Sequence, residues 1–126
     1  MNCLKHIVIY SRSPSRLLDF FSDVLECEID FKAQSFHLYH QAFHIKESPL
    51  LNQQKTEFYF DVESFEDAEV LMKRFDFYQY RNTDKEHEAI EFKESGSVRI
   101  LEITDLDSRK WLFISQKKGY FDTQSF

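Results

Sequence analysis

The sequence predicts an α+β fold made of two βαβββ modules, and three observations carry that prediction. His6-Ile-Val-Ile-Tyr10 and Glu57-Phe-Tyr-Phe-Asp61 are short apolar strands whose first residues stand 51 positions apart. At that same offset each is followed by a serine, Ser13 and Ser64, that opens an amphipathic helix. Each helix is followed by further short strand-like runs. A period of this length, used twice in 126 residues, fits a duplicated pseudo-symmetric domain and not a solenoid, which needs three or more units.

Residues 4–11 are apolar and rich in β-branched side chains, which reads as the first strand. Ser13 is placed as an N-cap, with Pro14 at the first helical position, where its missing N–H is not needed. Leu17, Leu18, Phe21, Val24 and Leu25 recur at three-and-four spacing, giving a helix over 14–25 with one buried stripe. Short strands are expected at 28–33, 36–40 and 42–47. Residues 48–55 form a polar connector containing Pro49.

The second module opens with a strand over 56–62. Ser64 then caps a helix over 65–76, with Phe65, Ala68, Val70, Leu71, Met72 and Phe75 as its buried face and Asp67 placing negative charge at its positive end. Strands are expected at 77–82, 88–94 and 97–104, with exposed turns at 84–88 and 94–97. One domain over 1–126 therefore comprises module one at 4–47, the connector, module two at 56–104 and a tail at 105–126. In the tail, Trp111-Leu-Phe-Ile114 is expected as an added edge strand. The aromatics from Gly119 to Phe126 suit a subunit contact, since exposed rings are a liability on a monomer.

Composition narrows the function. Hydrophobic residues make up 42% of the chain, with 14 Phe and 6 Tyr, enough to build a core and to argue against disorder. A formal net charge of −6, with no basic stripe, argues against nucleic acid as a partner. No apolar run approaches the roughly 20 residues needed to span a bilayer, and MNCLKHIVIY lacks the apolar stretch of a signal peptide. No membrane partner is expected, and a cytoplasmic location is. Cys3 and Cys27 are too few and too scattered for a disulfide framework or a cysteine zinc site.

Strand parity separates packing residues from pocket residues, because successive side chains alternate faces. Ile7, Ile9, Phe43, Ile45, Phe58, Phe60, Leu101 and Ile103 belong against the helices. The alternate set includes His6, Val8, Tyr10, His44, Lys46, Glu57, Tyr59, Asp61 and Glu102. If the two modules join their sheets into one curved surface with helices on the outer face, His6, His44, Glu57 and Glu102 share its concave side. Two imidazoles and two carboxylates suit a divalent ion such as Ni, Co, Zn, Mn or Fe.

At these residues the chain resembles the vicinal oxygen chelate superfamily, which includes glyoxalase I, extradiol dioxygenases, fosfomycin-modifying enzymes and bleomycin-binding proteins. The opening strand with His6 is similar to the family's first strand, which carries a histidine metal ligand. Phe20-Phe-Ser-Asp-Val-Leu25 resembles the helix ending F-Y-x-x-V-L-G, with Glu26 where glycine is usual. Glu57-Phe-Tyr-Phe-Asp-Val62 resembles H-I-A-F-E-V, with Glu57 replacing histidine. Ile90-Glu-Phe-Lys-Glu94 through Ile100-Leu-Glu-Ile103 has the spacing of the family's last hairpin, which carries D-P-D-G and ends in a glutamate ligand, here Glu102. Ser95-Gly-Ser97 stands in place of D-P-D-G.

The resemblance implies a metal-dependent glyoxalase- or dioxygenase-like lyase or isomerase acting on a small molecule with vicinal oxygens. In that case His6, His44, Glu57 and Glu102 ligate the ion, and Glu57 and Glu102 also move protons. The alternative is a metal-free module that sequesters a small molecule, as bleomycin-resistance proteins do. The resemblance also implies a homodimer, because small members of this architecture often complete their clefts with a second subunit.

Overall fold

The computed structural model of the chain describes residues 5–49, 56–65, 67–82 and 88–116. Strand β1 (Ile7–Ser11), helix α1 (Pro14–Asp23), β2 (Glu28–Asp30), β3 (Ser35–Leu38) and β4 (Gln41–Glu47) form the first module. Strand β5 (Glu57–Asp61), helix α2 (Ala68–Arg81), β6 (Ala89–Ser95), β7 (Val98–Thr104) and β8 (Lys110–Gln116) form the second. Each module makes a four-stranded mixed sheet of equivalent order, β1-β4-β3-β2 and β5-β8-β7-β6. In both, the opening and closing strands pair in parallel while the other neighbours run antiparallel. The α+β class and the duplication are as the sequence predicts.

Two elements of the second module differ from the expectation. Helix α2 starts at Ala68 and continues to Arg81, through residues expected as a strand over 77–82. Leu71, Phe75 and Tyr78, spaced four and three apart, form its buried stripe, and no Gly or Pro interrupts it. The aromatics at 77, 78 and 80 imitate strand composition, but the 3.6-residue period decides. Asp67, and not Ser64, caps this helix, its carboxylate accepting the Glu69 N–H at 2.7 Å.

The closing strand then comes from the segment expected as tail. Strand β8 lies between β5 and β7, with Trp111 and Phe113 at 0% and 2% exposure, so it is a core strand and not an added edge. The aromatics between Gly119 and Phe126 lie outside the described residues, as do 50–55 of the connector and 84–87 of the expected 84–88 turn. Helix α1 ends at Asp23, two residues short of expectation, and Ser13 occupies the N-cap position without a side-chain capping bond.

The core lies between the two sheets. Phe43 of β4 meets Phe58 of β5 and Trp111 of β8 with ring centres 5.4 and 5.1 Å apart. Phe21 of α1 stacks on Phe36 of β3 at 4.2 Å and meets Trp111 edge-on at 5.0 Å. Burying each such ring stabilises the fold by roughly 1.5–3 kcal/mol. The helices adjoin each other through Phe20, which is edge-on to Phe75 and Tyr78.

Two polar ties fix how the modules dock. The Arg16 guanidinium forks onto the buried Glu88 carboxylate at 3.0 and 2.7 Å, and the Tyr78 hydroxyl donates to the same carboxylate at 2.8 Å. At the β7–β8 corner, the Asp107 carboxylate accepts the backbone N–H of Arg12 at 3.0 Å, while Arg109 donates to the Tyr10 carbonyl at 2.8 Å. The corner of one module thereby grips the opening strand of the other. On the pseudo-symmetric side the β3–β4 corner does the same with an aromatic ring, Tyr39 resting 5.9 Å from Phe60 and 5.7 Å from Phe113.

Candidate functional site

Because the helix-side faces of the sheets pack against each other, the alternate residues of every strand point outward. Strand parity is as the sequence predicts. On the first sheet His6, Val8, Tyr10, His44 and Lys46 make up the outward face, with Val8 directly opposite His44. The His6 and His44 rings lie 6.1 Å apart, the one pair of predicted ligands in ring-to-ring proximity. On the second sheet the outward face carries Glu57, Tyr59 and Asp61 of β5, Glu102 of β7 and Leu112 of β8.

Two carboxylates of that second face, Glu57 and Glu102, are already engaged. Tyr59 donates its hydroxyl to Glu57 at 2.8 Å, and this hydrogen bond to an anion raises the phenol above its ordinary range. Glu102 accepts from Lys110 at 2.9 Å and from Lys93 at 3.0 Å. The hydrogen bonds from Lys110 and then Lys93 hold the Glu102 carboxyl below the usual carboxylate range. Lys110 also reaches the Thr104 hydroxyl at 3.3 Å, which fixes its ammonium over the sheet.

The predicted shared concave face does not form within one chain. The two outward faces lie on opposite sides of the packed sheets, so His6 and His44 are separated from Glu57 and Glu102. Among the described residues no group of three or more His, Cys, Asp or Glu side chains could hold a metal ion. The four predicted ligands within one subunit are two imidazoles on one face, with a tyrosine-bonded carboxylate and a lysine-clamped carboxylate on the other. That set does not fit a divalent ion.

Comparison with known proteins places this architecture. No protein-family model matches the sequence, and no curated protein does. Solved structures do match. The fosfomycin resistance protein FosX from Mesorhizobium loti superposes with a TM-score of 0.63 at 11% identity, over 96% of this chain and 98% of that one. The bleomycin-binding protein from Streptomyces verticillus, solved with copper(II)-bleomycin, gives 0.60 at 18% identity, over 91% and 98%. A mutant FosX from Listeria monocytogenes, complexed with Mn(II) and a dihydroxypropylphosphonic acid, gives 0.61 at 15% identity, over 93% and 90%. The chain has the vicinal oxygen chelate fold.

Within that fold the internal symmetry identifies a position that the sequence reading missed. His6 and Glu57 are equivalent by the 51-residue offset, as are Val8 and Tyr59. Val8 pairs with His44 on the closing strand of module one, and Tyr59 pairs with Leu112 on the closing strand of module two. The equivalent of His44 is therefore Leu112, and Glu102 sits one strand further in, opposite Leu112 on β7. The last hairpin is β7–β8, with Asp105-Leu-Asp-Ser108 at its corner, and not the earlier β6–β7 hairpin with Ser95-Gly-Ser97. Ser108 adopts φ 68°, the left-handed conformation that glycine takes most easily. The D-x-D spacing of Asp105 and Asp107 was the signal for this corner, hidden by the absence of its glycine.

Proposed function

We propose that the protein is a metal-free small-molecule-binding module whose cleft is completed by a second copy of the chain. The observation that supports this most is the state of the second outward face. Glu102 is neutralised by Lys93 and Lys110, and Leu112 occupies the place symmetric to His44. What remains is an apolar strip of Leu112, Ile114 and Ile100 between Tyr59 and the lysine–glutamate cluster. An apolar floor with a few fixed polar groups binds ligand without needing an ion.

A cleft needs two walls, and one chain supplies them on opposite sides. Strands β1 and β5 are both edges of their sheets, which leaves each outward face free to continue into a partner's. The faces are complementary, with Lys46 and two imidazoles on one and Glu57 and Asp61 on the other. A twofold dimer opposing the first face of one subunit to the second face of its partner gives two identical clefts. Val8 and Tyr10, 37% and 48% exposed, then oppose the apolar strip.

The proximity of His6 and His44 favours a second reading, in which the same cleft takes a divalent ion as the Listeria FosX takes Mn(II). His6 and His44 would then ligate together with Glu57 of the partner subunit. Glu102 of the partner subunit joins as ligand or base only after release from its two lysines. Methyl NMR on EDTA-treated protein, titrated with metal-free bleomycin as a bulky cationic probe, separates the readings. The metal-free reading expects saturable shifts at Val8, Leu112 and Ile114, unchanged by chelator. Binding that appears only on adding Mn(II), or the absence of any shift at millimolar probe, contradicts it.

A further inference from the structure

Strand β6 is a long and regular sheet edge. It closes the order β5-β8-β7-β6 and, among the described residues, is paired on one side only. Its seven residues, Ala89-Ile-Glu-Phe-Lys-Glu-Ser95, include no Pro, and their register with β7 runs from Ala89 to Ser95 without a bulge. The equivalent edge of module one, β2, is only three residues long, and so short an edge is a poor template for pairing. We infer that β6 is an interaction surface for a second copy of the chain, pairing antiparallel with its own counterpart about a twofold axis at Phe92.

The turn after β6 fixes which backbone groups face the edge. Only Gly96 and Ser97 separate the paired Ser95 and Val98, and Gly96 at φ 61° suits the first central position of a type II′ turn. A two-residue turn closes on a hydrogen-bonded pair, and such pairs alternate along an antiparallel ladder. Ser95, Lys93 and Glu91 therefore direct their backbone N–H and C=O groups to β7. Ile90 and Phe92 direct theirs to the outer edge. An axis at Phe92 lets that residue exchange both backbone bonds with Phe92 of the partner subunit.

The side chains select the same register. Charge of one sign protects an edge by repelling a copy of it. Here Glu91 and Lys93, both on the outward face with Glu102, flank Phe92 with opposite signs. An axis at Phe92 sets Glu91 against Lys93 of the partner subunit and Lys93 against Glu91 of the partner subunit, two attractive cross-strand pairs. An axis at Glu91 would oppose two glutamates, and one at Lys93 two lysines. Lys93 holds Glu102 at 3.0 Å, but its side chain is 47% exposed and its ammonium has further N–H donors. On the other face Phe92, 37% exposed and 6.3 Å from the Phe65 ring centre, meets its own copy, which covers aromatic surface. Strand β6 is the edge opposite β5, so this pairing does not depend on the cleft proposed above.

A single strand pairing buries less than about 1,000 Å², in the range of weak interfaces, so association is expected at roughly 0.1–1 mM chain. Sedimentation equilibrium of the full chain carrying Val8→Asp, which sets a charge in the cleft interface, reads the β6 edge by itself. This parent variant should dimerise in that range. Adding Glu91→Lys or Lys93→Glu should weaken association about tenfold, because two attractive pairs become two repulsive ones. A mixture of those two charge variants should associate as the parent does, since their edges are again complementary. The Phe92 amide should gain hydrogen-exchange protection in step with association. No dimer of the parent at millimolar chain, association indifferent to both charge changes, a mixture no stronger than its components, or a Phe92 amide left unprotected overturns the proposal.

Discussion

Glu102 shows at the scale of one residue why a carboxylate on the right face is not yet a ligand. Its two oxygens are taken by Lys110 and Lys93, and metal would have to displace both. The hydrogen bonds from Lys110 and Lys93 lower its pKa, so the folded state releases this proton more readily than the unfolded chain. The resulting stabilisation is present above the unfolded value of about 4.3 and is lost as pH falls through the lowered folded value. In Lys110→Met the Glu102 carboxyl should titrate closer to its ordinary value, followed by NMR of the side-chain carboxyl carbon. An unchanged titration would mean that Lys110 does not engage it in solution. The half-buried Arg16 paired with the buried Glu88 is a stricter case. Removing the cation in Arg16→Met leaves an uncompensated buried carboxylate beside Tyr78 and should cost about 3–5 kcal/mol in chemical denaturation.

Elements built from local periodicity were legible in the sequence, and those decided by pairing were not. The strand–serine–helix repeat located both β1–α1 and β5–α2 without any alignment. Helix α2 was shortened because its aromatic C-terminal half has strand-like composition, although Leu71, Phe75 and Tyr78 keep the helical period. A strand counted at 77–82 shifts every later strand by one, which leaves β8 as tail and puts the glutamate expected at the end of the last hairpin on β7. Trp111 marks β8 as core: its indole N–H donates to the buried Asp105 carboxylate at 2.9 Å. Burial pushes Asp105 up while Arg109, the Trp111 N–H and two backbone N–H groups pull it back down. Trp111→Phe keeps most of the ring but removes one of those donors, and thermal or urea unfolding should show a loss of about 1–3 kcal/mol. A loss below a few tenths would mean that this hydrogen bond is not part of the folded state.

For the whole molecule, the sequence specified which side chains share a sheet face but not how the two faces are disposed. Parity is a property of single strands, and every predicted packing residue lies on the helix side. The docking of modules depends on contacts such as Phe43 with Phe58 and Trp111, which join distant parts of the chain and leave no periodic trace. They turn the histidine face and the glutamate face away from each other. If those faces meet between subunits, sedimentation equilibrium at micromolar concentration should give a dimer, and Val8→Asp, which sets a charge on the facing surface, should shift it toward monomer. A monomer at all accessible concentrations would remove the second wall of the cleft.

Outward faces that bind a small molecule without an ion should leave the protein metal-free. Equilibrium dialysis against micromolar Mn(II), Ni(II) or Zn(II), followed by elemental analysis, tests it most directly. The donor set described above predicts retention far below one ion per chain for each metal, with no change in His6→Ala or His44→Ala. One ion per chain, lost on either substitution, would contradict the metal-free reading and establish the metal-dependent one in its place.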